Sequence, residues 1–277
     1  MAAVRRGCAE MGIEVRVHET TGPGDATRAA RRSEGMDAVF ALGGDGTVAE
    51  VAEALAGTGV ALGILPSGTG NLVARALGIP TSPLLALRCL ADGGRRAVDL
   101  ARVVDGPRVG RRTVFAAGAG VDATMVADAS GAMKRRLGVF TYFVTASRAV
   151  LAERPFTVRA RVDGKEVTCD ASIALVANFG AVLGGLIHLG PDIVPDDGLL
   201  DLCVLSPRGL RDAMGIAWRL VRNDFRPHPR MSFMKGRSIE LATEPIRPLQ
   251  SDGDSAGETP VHFVVEPAAL VVLVPAR

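Results

Sequence analysis

Apolar and polar positions follow one pattern along the first part of this 277-residue chain. Short apolar runs rich in strand-forming residues end at Leu42 and Leu65. Each run precedes apolar residues at helical spacing, which after the first run are Val48, Val51 and Leu55. Strands that alternate with helices predict βαβ units and a parallel sheet with right-handed crossovers. The same pattern predicts three earlier elements, namely an opening helix, a strand over residues 14–18 and a helix through Arg31.

The pattern changes near residue 97, where strand-like alternation with intervening turn residues replaces the helical spacing. We therefore predict an α/β domain over residues 1–97 and a β-rich domain over residues 98–264. The C-terminal segment, residues 265–277, is expected to pack back on the first domain. The chain is long and apolar enough to bury a core in each part.

Two helices are predicted within the β-rich part. The first covers residues 133–151, and the second begins at Ser206, with Pro207 at the first helical position, and reaches Asn223. The second helix mixes apolar residues with arginines, a pattern that core packing explains. An interfacial position at a membrane is the alternative.

One stretch of the β-rich part is long enough to cross a bilayer, because residues 171–191 carry no charge. Four glycines, Asn178 and His188 interrupt this stretch. A strand over residues 172–177 followed by a glycine loop therefore fits the sequence better than a membrane helix.

Two glycine-rich loops, over residues 43–47 and 67–71, follow the two apolar runs and precede helices. Glycines at such turns let backbone N–H groups point into one concavity at the positive end of a helix, where phosphate binds. The first loop lacks the lysine of the Walker pattern, and Gly44, Gly46 and Ala49 match the Rossmann pattern only as an isolated motif. Because the carboxyl ends of neighbouring parallel strands meet at one crevice, we expect both loops to face the same ligand.

Thr69 and Asn71 in the second loop permit two interpretations. Their side chains can donate hydrogen bonds to a phosphate or a ribose, or they can cap the helix that follows. The sequence pattern alone favours neither.

Composition gives little further direction. The chain has 32 basic and 30 acidic residues, so its net charge of +2 offers no argument for nucleic-acid binding. Local basic clusters are interpreted as solvated faces, with a site for anionic head groups as the alternative. The four cysteines are widely separated and predict reduced thiols in a cytosolic protein, and no histidine spacing typical of zinc is present. No signal peptide is predicted.

The order of several motifs resembles the diacylglycerol kinase catalytic domain, which bacterial lipid kinases share with sphingosine and ceramide kinases. The resemblance covers nearly the whole chain. Its motifs are GGDGTVAEV at 43–51, LGILPSGTGNLVARALGIP at 62–80, GAGVDA at 118–123, LGVFTYFVTASRAV at 137–150, PDDGLLDLCVL at 195–205 and SDGD at 251–254 before TPVHFVVEPAALVVLVP.

The resemblance implies a Rossmann-like, NAD-kinase-like α/β nucleotide domain, a C-terminal β-sandwich-like lipid domain and an active site in the cleft between them. It also implies that the two glycine loops bind ATP. The implied nucleotide contacts are Thr20, Gly43, Gly44, Asp45, Gly46, Thr47, Gly68, Thr69 and Asn71.

The resemblance further implies a carboxylate base for the attacking alcohol. The family has aspartate-glycine-glutamate near its C-terminus, and this chain has Asp252, Gly253 and Asp254 instead. Asp252 is the first candidate base, and Asp254 is one methylene shorter than the family's glutamate. Asp45 is a third candidate, as base or as a partner of Mg²⁺. The motif alone would be interpreted as a polar turn.

A structural Mg²⁺ site is implied at the loop around Asp197. The family uses the aspartate before the glycine together with two backbone carbonyls, which here belong to Val194 and Leu199. The spacing alone would favour an aspartate-glycine hairpin turn.

The implied function is an ATP-dependent lipid kinase that phosphorylates a membrane lipid, diacylglycerol by default, and yields phosphatidic acid. A cytoplasmic protein with peripheral membrane contact is expected, and an exposed sheet edge would favour a homodimer. Two alternatives stay open. One is an NAD kinase, whose GGDGT loop is similar although GTGN at 68–71 suits the lipid family better, and the other is a non-catalytic nucleotide- or lipid-binding protein.

A second departure from the family lies at the start of the chain. Its members begin with a strand ending in an asparagine-proline-x-serine-glycine turn, whereas this sequence opens on the helix that should follow. Loss of an inner strand would expose apolar faces and backbone edges. We therefore expect either a truncated start or a compromised protein.

Overall fold

The computed structural model describes residues 2–120, 155–182 and 185–276, so the helix predicted over residues 133–151 lies outside the described residues. The chain divides into two compact units. One unit contains Met1–Val98 together with Ala268–Arg277, and the other contains Asp99–Pro267.

Helices and two parallel strands make up most of the first unit. The strands are β1 (Ala38–Gly43) and β2 (Ala61–Pro66). The helices are α1 (Ala2–Glu10), α2 (Asp25–Ala30), α3 (Asp45–Leu55), α4 (Leu72–Ala76) and α5 (Pro83–Ala91).

Strand β2 forms the centre of this unit. It pairs in parallel with β1, with Ala38 opposite Ala61 and Gly43 opposite Pro66. All its residues are buried, as expected for a strand covered on both faces. The C-terminal end of the chain belongs here as well, since Val272 pairs with Leu62 of β2.

The strand predicted over residues 14–18 is wrong. These residues carry no regular secondary structure, and the side chains of Val15 and Val17 are exposed. A strand is held by hydrogen bonds to a neighbouring strand, and no strand of the described residues pairs with this segment. Alternation of apolar residues without a ladder partner does not make a strand.

The second unit is built almost entirely from strands. Strands β3 (Gly94–Asp105) and β16 (Val261–Val274) each run from one unit into the other. The other elements are β4 (Arg112–Thr113), β5 (Ala116–Gly120), β6 (Phe156–Val162), β7 (Lys165–Ala171), β8 (Ile173–Ala177), β9 (Ala181–Val182), β10 (Ile187–His188), β11 (Leu200–Leu205), α6 (Leu210–Val221), β12 (Met231–Gly236), β13 (Ser238–Glu244), β14 (Pro248–Ser251) and β15 (Asp254–Glu258).

Two open sheets of this unit share one core. The first has the order β12-β11-β8-β5-β14-β15, and the second includes the order β16-β13-β6-β7. Apolar side chains of both sheets pack in a single cluster, with Leu200 and Leu202 from the first sheet and Ile239, Leu241 and Phe263 from the second. The predicted combination of an α/β domain and a β-sandwich-like domain is confirmed.

Helix α6 begins later than the sequence predicts. Its first residue is Leu210, and Gly209 rather than Ser206 is the residue before the helix. The reason is a long-range contact, because the N–H of Ser206 donates to the carbonyl of Arg230 at 3.0 Å. Ser206 therefore continues the extended chain beyond β11 and cannot cap a helix.

The uncharged stretch at residues 171–191 forms β8 and the short strands β9 and β10 where it is described. None of the helices within the described residues is long and apolar enough to cross a membrane.

Candidate functional site

The two glycine loops contact each other at the carboxyl ends of β1 and β2. The N–H of Ser67 donates to the carbonyl of Gly43 at 2.9 Å. A Cβ atom added to Gly68 would lie 2.6 Å from the Cα of Gly44, which is closer than a real side chain can come. Glycine at position 68 is therefore required for the close approach of the two loops.

Asp45 joins the same two loops through its side chain. It is the first residue of α3, and its Oδ1 accepts the N–H of Leu72, the first residue of α4, at 2.6 Å. Burial raises the pKa of Asp45, whereas backbone hydrogen bonds led by that of Leu72 oppose the rise. An acid at a helix N-terminus is favoured by the helix dipole. The carboxylate proposed from the sequence as a base or Mg²⁺ partner is thus engaged in holding the loops together.

Asn71 closes the second loop on itself. Its residue has a left-handed backbone (φ 49°), and its side chain is buried. The side-chain Oδ1 accepts the N–H of Gly68 at 3.1 Å, and Nδ2 donates to the carbonyl of Gly68 at 2.7 Å. The side chain makes no capping bond to α4. Both polar atoms therefore serve the shape of the loop, whereas Thr69 is exposed at its tip.

The first turn of α3 supplies the groups that suit an anion. Its preceding residue, Gly44, is extended, and the N–H of Val48 donates to the carbonyl of Gly44. The N–H groups of the earlier residues, Asp45 to Thr47, lie at the positive end of the helix, where intrahelical acceptors are lacking. A Cβ atom on Gly43 would lie 2.5 Å from Oγ1 of Thr47, so this hydroxyl lies over the end of β1. Gly46 is exposed beside it.

Thr20 is the one predicted nucleotide contact that does not belong to either glycine loop. It is exposed within an irregular segment, and the described hydrogen bonds include none that joins it to either glycine loop. The adjacent Thr21 is the residue that takes part in local structure, since its N–H and Oγ1 donate to Asp25 Oδ2 at 2.9 and 3.1 Å. The structure brings the loop residues together, and Thr20 stays a predicted nucleotide contact without a described hydrogen bond to them.

Glu50 is a residue that the sequence analysis missed. Its carboxylate, on α3, accepts the N–H groups of Gly24 and Ala26 at 2.7 and 3.1 Å, at the start of α2. The residue before α2 is a glycine without a side chain that could cap the helix. The N–H groups at such a helix start need a hydrogen-bond acceptor from elsewhere in the chain. A glycine before a predicted helix is therefore the sequence signal that could have indicated a residue such as Glu50.

In the second unit, Asp252 lies in the two-residue turn between β14 and β15. Asp252 and Gly253 have φ values of 53° and 93°, and positive φ at both positions is the requirement of a type I′ hairpin turn. The polar-turn interpretation of this motif is therefore structurally correct. The carboxylate also reaches out of the turn, where it accepts three N–H groups, those of Val114 at 2.8 Å, Phe115 at 2.8 Å and Ala116 at 3.2 Å.

Asp254 has a different environment from Asp252. It is the first residue of β15, opposite Ser251 of β14, and its side chain is exposed. The described part of the chain provides no hydrogen bond or ion pair to its carboxylate. The two acids of the motif are thus separated in role, since one orients the hairpin and the other faces solvent.

The predicted Mg²⁺ loop already contains a cation. Asp197 Oδ1 accepts the N–H of Leu199 at 3.0 Å, and Asp197 Oδ2 accepts Nζ of Lys235 at 2.8 Å. Burial alone would lower the pKa of Lys235, but its hydrogen bond to Asp197 and the neighbouring carboxylates raise it above its ordinary value. A divalent ion at Asp197 would lie beside an ammonium group. The residues implied by the resemblance, Val194, Asp197 and Leu199, therefore do not fit such an ion in this arrangement.

Asp201 on β11 lies next to this loop and is almost fully buried. Its Oδ2 has no hydrogen-bond partner among the described residues and is 3.7 Å from Nζ of Lys235. Burial raises the pKa of Asp201 to about 7, against the opposing charge of Lys235. Sequence reasoning did not single out Lys235, which is separated from the loop by β11 and α6.

Profiles of two known domains together cover most of the chain. The diacylglycerol kinase catalytic domain matches residues 1–103, and the YegS C-terminal NAD kinase beta sandwich-like domain matches residues 116–274.

Relatives with known sequences and structures match over most of this chain. A diacylglycerol kinase of Bacillus subtilis is 30% identical over 95% of this chain and 87% of its own. An uncharacterised protein of Synechocystis is 31% identical over 87% of this chain, which spans 56% of that protein. A crystal structure of a protein assigned as a diacylglycerol kinase from Bacillus anthracis is 25% identical, with a TM-score of 0.78 over 99% of this chain and 90% of that chain.

The burial of Asp201 generates a prediction about pH. The folded-state pKa of Asp201, about 7, lies above the unfolded value of 3.8. Proton binding by Asp201 therefore stabilises the folded protein fully below pH 4, and this stabilisation is lost as the pH rises through 7. We expect Asp201→Asn to become more stable relative to the natural chain by roughly 2 kcal/mol between pH 5 and pH 8. Urea unfolding of both proteins across this range tests it, and parallel stability curves would contradict it.

Proposed function

This chain belongs to the diacylglycerol kinase catalytic-domain family, and we propose that it transfers the γ-phosphate of ATP to the hydroxyl of diacylglycerol and releases phosphatidic acid. The proposal is carried by one observation above all. Two glycine loops meet at the carboxyl ends of adjacent parallel strands, through the Ser67–Gly43 hydrogen bond and the Gly44–Gly68 contact. This is the position at which α/β sheets bind nucleotides.

The ATP phosphates are assigned to the first turn of α3. Backbone N–H groups of Asp45, Gly46 and Thr47 and the hydroxyl of Thr47 supply donors, and Thr69 lies exposed at the tip of the neighbouring loop. The Mg²⁺ that accompanies ATP neutralises charge on the phosphates. The carboxylate of Asp45 fixes α4 against α3, so its role in this scheme is to keep the donors in position.

The proton acceptor is assigned to the acidic hairpin of the second unit. In the reaction, a carboxylate takes the proton of the lipid hydroxyl while the hydroxyl oxygen bonds to the γ-phosphorus. The bond between that phosphorus and the bridging oxygen breaks, and ADP leaves with the electron pair.

Asp254 is the stronger candidate for this base, and Asp252 is the residue that positions it. The carboxylate of Asp252 is engaged by three backbone N–H groups, whereas the carboxylate of Asp254 is exposed. This assignment revises the order suggested by the sequence, where Asp252 came first. Compared with the family's glutamate, Asp254 keeps the negative charge of the base and differs only in the length of its side chain.

Contact with the membrane is proposed at one face of α6. Trp218 is 58% exposed and Leu210 is 38% exposed. Arg211 is exposed on the same helix, and the exposed Arg222 follows its last residue. The guanidinium of Arg222 lies 5.8 Å from the centre of the Trp218 ring. An exposed aromatic side chain flanked by arginines suits the interface of a bilayer that carries anionic lipids.

The contact between the glycine loops predicts the effect of a single methyl group. We expect Gly68→Ala to weaken ATP binding roughly tenfold, because the new Cβ must displace the backbone of Gly44 and with it the phosphate donors. Gly22→Ala is the matched control, since a Cβ there meets nothing within 4 Å. Calorimetric titration with Mg²⁺ and ATP measures both variants, and equal affinities would contradict the proposed binding loop.

The two acids of the hairpin are predicted to respond differently to neutralisation. We expect Asp254→Asn to lower kcat by roughly 100-fold or more without changing the melting temperature, as for loss of a general base. Asp252→Asn should lower the melting temperature as well, because three N–H donors lose a charged acceptor.

The measurement is transfer of label from γ-labelled ATP in mixed micelles that contain diacylglycerol, with monoacylglycerol, sphingosine and NAD offered in parallel. Full activity of folded Asp254→Asn would return the role of base to Asp252. Label in NAD alone would identify an NAD kinase, and no label in any acceptor would support a non-catalytic binding protein.

Trp218 is the single tryptophan of the chain, so its fluorescence reports directly on the proposed membrane face. We expect a blue shift of its emission with vesicles that contain phosphatidylglycerol and little change with pure phosphatidylcholine vesicles. The double substitution Arg211→Glu and Arg222→Glu should abolish the shift, whereas Arg159→Glu on β6 should retain it. An unchanged spectrum with anionic vesicles that still bind the protein would place the contact elsewhere.

A further inference from the structure

Lys235 lies at the centre of a group of three oxygen atoms in the second unit. Its Nζ is 2.6 Å from the carbonyl oxygen of Asp192, 2.8 Å from Oδ2 of Asp197 and 3.7 Å from Oδ2 of Asp201. One carbonyl and two carboxylates are the type of donor set that Mg²⁺ and Ca²⁺ prefer. In this chain an ammonium group holds that position.

The sheet itself fixes the ammonium at this point. Lys235 on β12 is directly opposite Asp201 on β11 in the antiparallel register. Lys235 and Asp197 lie at the surface, with side-chain exposures of 30% and 27%, whereas the side chain of Asp201 beneath them is only 6% exposed. Only Asp201 lies where solvent screens a charge poorly, so the positive charge of Lys235 matters most for this buried acid.

The loop that carries Asp197 is also held by bonds that involve no cation. The buried Asp99 accepts the N–H of Gly198 at 2.7 Å, and the N–H of Asp99 donates to the carbonyl of Pro195 at 2.6 Å. These contacts keep the loop in shape around the ammonium. The oxygens that surround it would therefore stay close together if the lysine were removed.

We propose that the Lys235 ammonium is the resident cation of this loop, so that the loop needs no divalent metal. We further infer that removal of the ammonium creates a divalent-cation site from Asp192, Asp197 and Asp201. This set shares only Asp197 with the residues implied by the family resemblance. The inference does not depend on the kinase activity, because it concerns the stability of the second unit.

The first test is thermal unfolding without nucleotide, in EDTA and in saturating Mg²⁺ or Ca²⁺. The natural chain should melt at the same temperature in all three solutions. Lys235→Met, which keeps an unbranched apolar side chain, should melt roughly 5 °C lower in EDTA, because Asp197 loses its hydrogen-bonded ammonium and the buried Asp201 loses the positive charge beside it. Divalent cations should restore most of that loss.

Two controls separate this effect from ordinary loss of packing. Lys235→Arg keeps the charge and should show no response to metal, and Lys165→Met removes an exposed lysine and should behave like the natural chain. The double variant with Lys235→Met and Asp197→Asn should lose the rescue. Calorimetric titration of Ca²⁺ should give one site in Lys235→Met and none in the natural chain.

Several outcomes would overturn the proposal. Stabilisation of the natural chain by Mg²⁺ or Ca²⁺ without nucleotide would show that the loop takes a metal despite the lysine. A Lys235→Met variant that melts low and ignores divalent cations would show that the three oxygens form no metal site. If Lys235→Met does not fold, Lys235→Gln provides the same comparison. A variant that is as stable as the natural chain in EDTA would show that the ammonium does not stabilise the loop.

Discussion

The arrangement of the first unit depends on the close approach of two backbones at Gly44 and Gly68. Because no side chain separates them, the ends of β1 and β2 can bring their loops into direct contact. Polar side chains then hold the two loops in this contact, since Asp45 accepts the N–H of Leu72 at the start of α4 and Asn71 donates to the carbonyl of Gly68. The donors at the start of α3 are consequently fixed before any ligand arrives, which lowers the entropy cost of binding.

Local sequence patterns predicted those parts of the fold that local physics determines. The two strand–loop–helix units were predicted because apolar runs, glycines and helical spacing follow one another within a few residues. The strand at residues 14–18 and the start of α6 at Ser206 were wrong for the same physical reason. Each depends on a hydrogen-bond partner far away in the chain, and periodicity carries no record of such partners.

The candidate site shows the same limit at the level of single side chains. Residue types indicated phosphate-binding loops and an acidic turn, but not which atoms are already engaged. The carboxylate of Asp252 accepts backbone N–H groups of residues 114–116, and that of Glu50 accepts N–H groups at the start of α2. The ammonium of Lys235 donates to the carboxylate of Asp197. In each of these contacts the two residues are between 24 and 138 positions apart in the sequence. The contacts decide which carboxylates remain available for chemistry.

The path of β16 has a consequence for how the protein is made. Residues 268–277 belong to the first unit, where Val272 pairs with Leu62 and the carbonyl of Ala269 accepts the N–H of Gly57. A ribosome releases the chain from its N-terminus, so β2 emerges long before the segment that lies beside it. One side of the central strand of the first unit therefore stays unpaired until the whole second unit has been synthesised.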